Sequence, residues 1–301
     1  MDNVCHTLVG AAMAHAGLKR LTPYATGTLM LAANISDVDV LVFVTGESPV
    51  AFRRGWTHGV VGQALLPIGL TLLVMAWARW RRPTEPVRPG WLLALSYLAL
   101  YSHLFLDFLN NYGVRLLAPV EWRWFYGDAV FIVDPWLWLV LGAGVWVAQR
   151  KQTPQPAVMA LSAATGYVVV MLAAAVITRE AVIREWRAER GYDPSALMVG
   201  PMPVTPFSRA VIIDAGDHYE TGVYRFWSPR LVLDAERIPK NEREPAVALA
   251  RSTPAIRSFL AWSRFPFWQA QATAGGTEVT VRDVRFPFGG GTFRARVVVP
   301  E

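Results

Sequence analysis

Runs of apolar residues long enough to cross a lipid bilayer are the feature that most narrows what this chain can become. A spanning helix needs about 20 mostly apolar residues, and four segments meet or approach that length: roughly 59–80, 91–110, 130–148 and 157–177. Inside hydrocarbon every backbone N–H and C=O must find a partner within the protein, so such runs become helices. A fifth segment, 24–45 (YATGTLMLAANISDVDVLVFVT), is long enough but carries Asn34, Asp37 and Asp39. Lipid penalises each of these unless it faces a polar interior. The first segment, roughly Asn3 to Leu18, is short and precedes Lys19-Arg20. Without a small-residue cleavage site and a polar mature start after it, it reads as a retained short helix rather than a signal peptide.

Composition supports a membrane protein: 53% of the 301 residues are hydrophobic and 17% charged. The formal charge of +6 is gathered in short clusters beside the apolar runs, where retention of cationic loops in the cytoplasm explains it better than a nucleic-acid partner does. The single cysteine, Cys5, excludes an internal disulfide. The basic clusters are Lys19-Arg20, then Arg79, Arg81, Arg82 and Arg88, then Arg150-Lys151. All three lie on the cytoplasmic side at once if there are six membrane segments, which puts the N-terminus, the loops 46–57 and 111–129, and everything beyond about 178 outside. After Thr178 hydropathy drops and charges become frequent. Residues 178–190 read as a charged helix leaving the membrane, and 241–263 as holding one more helix. Alternating or β-branched runs at Arg209–Ile213, Tyr219–Phe226, Glu278–Phe286 and Thr292–Val299 read as strands, with a turn at Gly289-Gly290-Gly291. The expected architecture is an α-helical polytopic membrane domain over 1–177, with about five to six membrane helices. A small β-rich soluble domain over 178–301 follows it.

The chemistry-bearing residues fall inside or beside the apolar runs. His103 and Asp107, in SHLFLDFLNNYG, are four apart and project from one helix face. His58 ends RRGWTH at the start of the next helix in sequence after ISDVD, which carries Asp37 and Asp39. With the orientation set by Lys and Arg alone, all five reach a similar depth near the outer side, and His6 joins them there. Imidazoles with carboxylates suit Zn²⁺ or another divalent ion, and a nearby carboxylate can serve as general base. Asp37 and Asp39 are the candidates for that role. Residues two apart on a regular helix point about 200° apart, so both approach one site only where the backbone is irregular. Arg54 is a candidate for pairing with a substrate anion, and Asn110, Asn111 or Tyr112 for orienting the site, with Asn111 and Tyr112 taken as substrate-binding. Asp134 precedes Pro135 as a helix cap and lies at the right depth to support the ligands from behind. His15 and His218 are set aside, the first as facing away from His6, the second as sitting in a polar turn.

The N-terminal histidine, ISDVD, RRGWTH and SHLFLDFLNNYG, followed by Pro and Asp downstream, resemble the membrane-bound metal-dependent hydrolase family, the YdjM-like proteins, over about residues 1–150. That family is in turn distantly similar to zinc-dependent phospholipase C and the S1/P1 nucleases, where an aspartate, a histidine and an HxxxD pair bind zinc. Carried over, the resemblance implies that His58, His103 and one of Asp37 and Asp39 hold one metal, and that Asp107 with His6 holds or bridges a second. The chain has no histidine between His103 and His218, so one or two ions are implied rather than three. The expectation is a multi-pass protein of a bacterial inner membrane with a periplasmic C-terminal domain. It would act as a metal-dependent hydrolase, with Zn²⁺ as the first candidate ion, on phosphoester or ester bonds of a membrane lipid or small molecule. An ion- or proton-coupled transporter and a non-catalytic membrane assembly factor are the alternatives.

Overall fold

The structure, a computed structural model, describes residues 1–44, 52–286 and 293–300. The glycine turn expected at 289–291 and residues 46–51 of the expected outer loop lie outside them. The chain divides into two compact units: Met1–Asp39 with Arg54–Ala174 and Pro201–Pro206, and Val40–Arg53 with Ala175–Gly200 and Phe207–Glu301.

The first unit is helical. Helix α1 (Asn3–His15) is started by Asp2, whose carboxylate accepts from the Val4 and Cys5 amides at 3.0 and 3.1 Å, so a charge of the right sign meets the positive end of the helix. Its small side chains let α2 (Ala25–Ala32) approach closely: a Cβ on Gly10 would sit 2.7 Å from the Leu29 carbonyl oxygen. Small residues at helix contacts are what packing inside a membrane favours. After α2 the chain continues as a 3₁₀-helix over Ile35–Val44, bent by 46° from α2. Helix α3 (Val60–Arg81) and helix α4 (Pro89–Phe108) follow, then α5 (Pro135–Lys151) and α6 (Gln155–Arg190). Pro89 and Pro135 occupy first-turn positions, where their missing N–H costs nothing.

Among the described residues three helices, α3, α4 and α6, are long and apolar enough to cross a membrane, or four spans if α2 with its bent continuation is one. The expected five to six spans are not supported. The first segment forms a helix of only 13 residues, about 20 Å long against a hydrocarbon core of about 30 Å. The segment expected over 130–148 starts late, at Pro135, because Asp134 caps it there, leaving 17 residues. The charged helix expected over 178–190 is the far end of α6. No proline or glycine interrupts the chain between 167 and 190, so the helix continues as it turns from apolar to charged.

The second unit is β-rich, built on two antiparallel sheets. One has the order β1-β2-β3-β4 (Ala196–Pro201, Ser208–Asp214, His218–Arg225, Ser228–Pro239) and the other β5-β6-β7 (Pro266–Thr273, Gly276–Asp283, Arg294–Val299). In β2, Ser208 pairs with Arg225 and Asp214 with Tyr219. The alternation of a strand then sends Val211 and Ile213 to a core with Val182 and Trp186 of α6, and Ile212 to another with Phe265 and Val284. The helix expected within 241–263 is two short ones, α7 (Pro245–Arg251) and α8 (Pro254–Leu260), divided before Pro254. Strands β1, β4 and β5 were not anticipated. Asp283, fully buried at the end of β6, accepts from Ser263 Oγ (2.7 Å), the Arg264 and Phe265 amides (2.7 and 3.1 Å) and Arg285 Nε (2.8 Å).

Candidate metal centre

Four separate stretches of the first unit converge on one buried point. Helix α4 supplies His103 and Asp107 one turn apart, α1 supplies His6, the 3₁₀ segment supplies Asp37 and Asp39, and the loop before α3 supplies Arg54 and His58. One ligand atom from each of Asp37, His58, His103 and Asp107 lies within 4.8 Å of the others, and all four residues are buried. His58 Nε2 is 3.2 Å from His103 Nε2, 3.3 Å from Asp107 Oδ2 and 3.7 Å from Asp37 Oδ1. His103 Nε2 is 3.5 Å from Asp107 Oδ2.

The backbone explains how residues from so many places point inward. The bend after α2 leaves Ala33 at a helix end, and its carbonyl takes a contact from His103 Nδ1 at 2.8 Å. A proton held there on Nδ1 turns the lone pair of Nε2 toward the cluster. Thr57 Oγ1 (3.0 Å) and Asp39 Oδ2 (3.5 Å) stand at His58 Nδ1 and favour the same tautomer for that ring. The two imidazoles therefore present Nε2 lone pairs to each other at 3.2 Å, an arrangement that calls for a shared proton or a cation. Asp107 Oδ2 is buried without a hydrogen-bond donor. Two nitrogen and two oxygen donors around one point, with this buried oxygen among them, fit a metal ion. His6 stacks on His103 with ring centroids 3.9 Å apart and holds Nε2 at 3.4 Å from Asp107 Oδ1, next to the Met1 amine, which also contacts that oxygen.

Arg54 is held by its surroundings on every side. Its amide donates to Asp39 Oδ2 at 2.7 Å, its carbonyl accepts from the Arg115 amide at 3.0 Å, and its guanidinium donates to Asp107 Oδ1 (2.9 Å), Asn110 Oδ1 (3.3 Å) and the Gly113 carbonyl (3.1 Å). The Tyr112 ring lies under it at 4.7 Å. Arg54 also adopts φ 56°, a left-handed conformation that costs a side-chain-bearing residue about 1–3 kcal/mol and persists only where neighbours impose it. Gly59, directly after His58, permits the approach of the 115–118 turn, since a Cβ there would meet the Ala118 carbonyl oxygen at 2.2 Å. The Val60 amide donates to that same oxygen at 2.8 Å.

The structure thus gathers His6, Asp37, Asp39, His58, His103 and Asp107, with Arg54 and Tyr112 beside them. Asp39 stands behind His58, outside the four-residue group. Asn111 is buried one residue beyond Asn110, whose side chain makes the contact to Arg54. Asp134 caps α5 through the Trp136 and Leu137 amides at 3.0 Å and accepts from the Tyr167 hydroxyl at 2.8 Å. His15 contacts Lys19 and Gln149, and His218 contacts Asp217 and Glu220. Thr57 and the Ala33 carbonyl were not foreseen. Thr57 had a signal in its place beside His58, whereas a backbone carbonyl has none in sequence.

A model of the YdjM inner membrane protein family matches residues 1–178, more than half of the chain. No curated protein and no solved structure matches it. The chain belongs to the YdjM inner membrane protein family.

Proposed function

We propose that this member of the YdjM inner membrane protein family is a metal-dependent hydrolase of phosphoester or carboxylic ester bonds in a lipid or lipid-linked substrate at the outer membrane face. The observation that carries the reading is the meeting of two imidazole nitrogens and two carboxylates within 4.8 Å, buried beside a guanidinium. Buried ionisable groups are too costly in a membrane protein to be kept without a partner or a task. A bound divalent ion supplies Lewis acidity, polarising an ester or phosphoryl oxygen and acidifying a water. His58, His103, Asp37 and Asp107 are the residues that would hold it. Asp37, slightly exposed where the other three are sealed, is the carboxylate that would take the proton of the attacking water, through Oδ2, since Oδ1 is turned to the cluster. Asp39 orients His58 through Nδ1, and Arg54 holds Asp107 and lends positive charge to an anionic group.

The outer-face assignment is supported by Lys19-Arg20, the 79–88 cluster and Arg150-Lys151, which are retained together in the cytoplasm when α5 completes a crossing despite its length. The C-terminal unit is then periplasmic. Metal analysis of the purified full-length protein should find about one or two divalent ions per chain. His103→Ala and Asp107→Ala should lose both the ion and the release of phosphate or fatty acid from vesicles of defined phospholipid. A protein that keeps its ion and hydrolyses none of these esters would overturn the hydrolase reading in favour of a cation-handling one.

A further inference from the structure

We infer that the first unit holds a docking groove for one hydrocarbon chain of an anionic lipid whose ester group lies at the metal centre. The inference rests on the hydrolase reading for what happens to that ester, though not for the binding itself. The groove is a cavity of about 280 Å³ among α1, α4, α5 and α6, lined by apolar side chains including Val9, Leu141, Leu161 and Val168. Its volume falls just below the roughly 300–1,000 Å³ range of small-ligand sites, which suits one chain rather than two.

Its position relative to the buried cluster sets it apart from an ordinary crevice between membrane helices. Cys5, Ser102 and Leu106 line it, and each immediately precedes a residue of the cluster: His6, His103 and Asp107. Successive residues of a helix are turned by about 100°, so α1 and α4 each present one face to the cluster and the adjoining face to the groove. On α1 the groove residues Cys5, Val9 and Met13 recur every four positions, a stripe about 12 Å long. On α6, Leu161, Ala164, Thr165 and Val168 form a second stripe in which two small side chains leave the space open. Phe105 and Val169 also line the cavity and are about half exposed, at 49% and 58%, so it opens sideways on a face that a spanning helix turns to lipid. On the cluster side of these walls stands the buried guanidinium of Arg54, 2.9 Å from Asp107 Oδ1. An apolar trough that shares two helix walls with a centre flanked by buried positive charge matches a lipid with a negatively charged ester group and a single long chain in the groove. Such a ligand enters from the bilayer without leaving it.

Photo-cross-linking of the full-length protein in nanodiscs tests this without relying on turnover. The probe is a single-chain alkyl phosphate with a diazirine in its tail, and a second probe has the same tail without the phosphate. The phosphate probe should label groove residues such as Leu161 and Val168, mapped by mass spectrometry, and the neutral probe should label them about tenfold less. Ala164→Phe and Thr165→Leu, which fill the groove, should each reduce the groove label about tenfold or more while the metal content, read in parallel, stays unchanged as the sign of an intact fold. Label spread evenly over outward residues such as Leu72, Leu73 and Met159, insensitive to both the phosphate and the two substitutions, would overturn the groove. Groove labelling in a protein that hydrolyses no lipid ester would uphold the docking site and refute only the hydrolase reading.

Discussion

Asp39 is the residue whose role the geometry refines most. It accepts from the Arg54 amide and Thr57 Oγ1 at 2.7 and 3.2 Å and stands 3.5 Å from His58 Nδ1, a carboxylate that steadies an imidazole from behind. Groups in that position tune a metal ligand without touching the ion, and their removal costs about 10–100-fold in metal affinity. Asp39→Ala should weaken metal binding by about that factor at unchanged stoichiometry, whereas Asp37→Ala should also abolish hydrolysis when metal is saturating. Isothermal titration of the metal-stripped protein separates the two. Equal effects of both substitutions on affinity and on saturated activity would place Asp39 among the direct ligands instead. From sequence, both Asp37 and Asp39 were candidates for the ion and for the general base, with Asp37 ahead of Asp39 as a ligand. Their division of labour depends on which way each side chain turns after the bend at Ala33, a matter of three-dimensional backbone path.

At the scale of elements, that bend and the ends of α5 and α6 are where local pattern and structure part. The hydropathy of 24–45 marks one membrane segment, and the irregular backbone expected if both aspartates approach one site is there as the break after α2, whose freed carbonyl at Ala33 steadies His103. Strands β2, β3, β6 and β7 were visible as alternating or β-branched runs. Strand β4 was not, since its side chains are mostly exposed and its pattern is not that of a half-buried strand. The end of β6 carries a testable electrostatic feature. Burial by itself would raise the Asp283 carboxyl, but the Arg285 guanidinium and the surrounding donors hold it below the usual carboxylate range. A group depressed in the folded state contributes stability that is complete above its unfolded value of about 3.9 and is lost as pH falls through that value toward the folded one. Thermal unfolding of the full-length protein in detergent should therefore lose stability below about pH 4. Asp283→Asn, which leaves Arg285 buried without its counter-ion, should cost about 3–5 kcal/mol at neutral pH and flatten part of that acid slope. An unchanged slope in the variant would show that other carboxylates carry it.

For the whole molecule the open quantity is parity. Three long apolar helices, or four spans with the bent pair, put the C-terminal unit on different sides depending on whether α5 crosses. The positions of Lys and Arg argue that it does, and impermeant maleimide labelling of spheroplasts should modify Arg243→Cys readily and Lys151→Cys only after lysis. The reverse pattern would move the β-rich unit to the cytoplasm. What the sequence determined by itself was the division into an apolar helical part and a charged β-rich part, and the identity of the costly residues: His6, Asp37, Asp39, His58, His103 and Asp107. Both follow from local rules, because hydropathy is a property of a run and an ionisable residue in such a run is conspicuous wherever the run packs. Only the tertiary structure decided that four of the six share one point within 4.8 Å, that Asp39 stands at His58 Nδ1, that the Arg54 guanidinium donates to Asp107, and that a groove lies among α1, α4, α5 and α6. Those outcomes depend on contacts between residues far apart in sequence, such as His58 with His103, 45 positions apart, and His103 with Ala33, 70 apart. No periodicity along the chain encodes such contacts, and they form only when the helices bury their polar faces against one another.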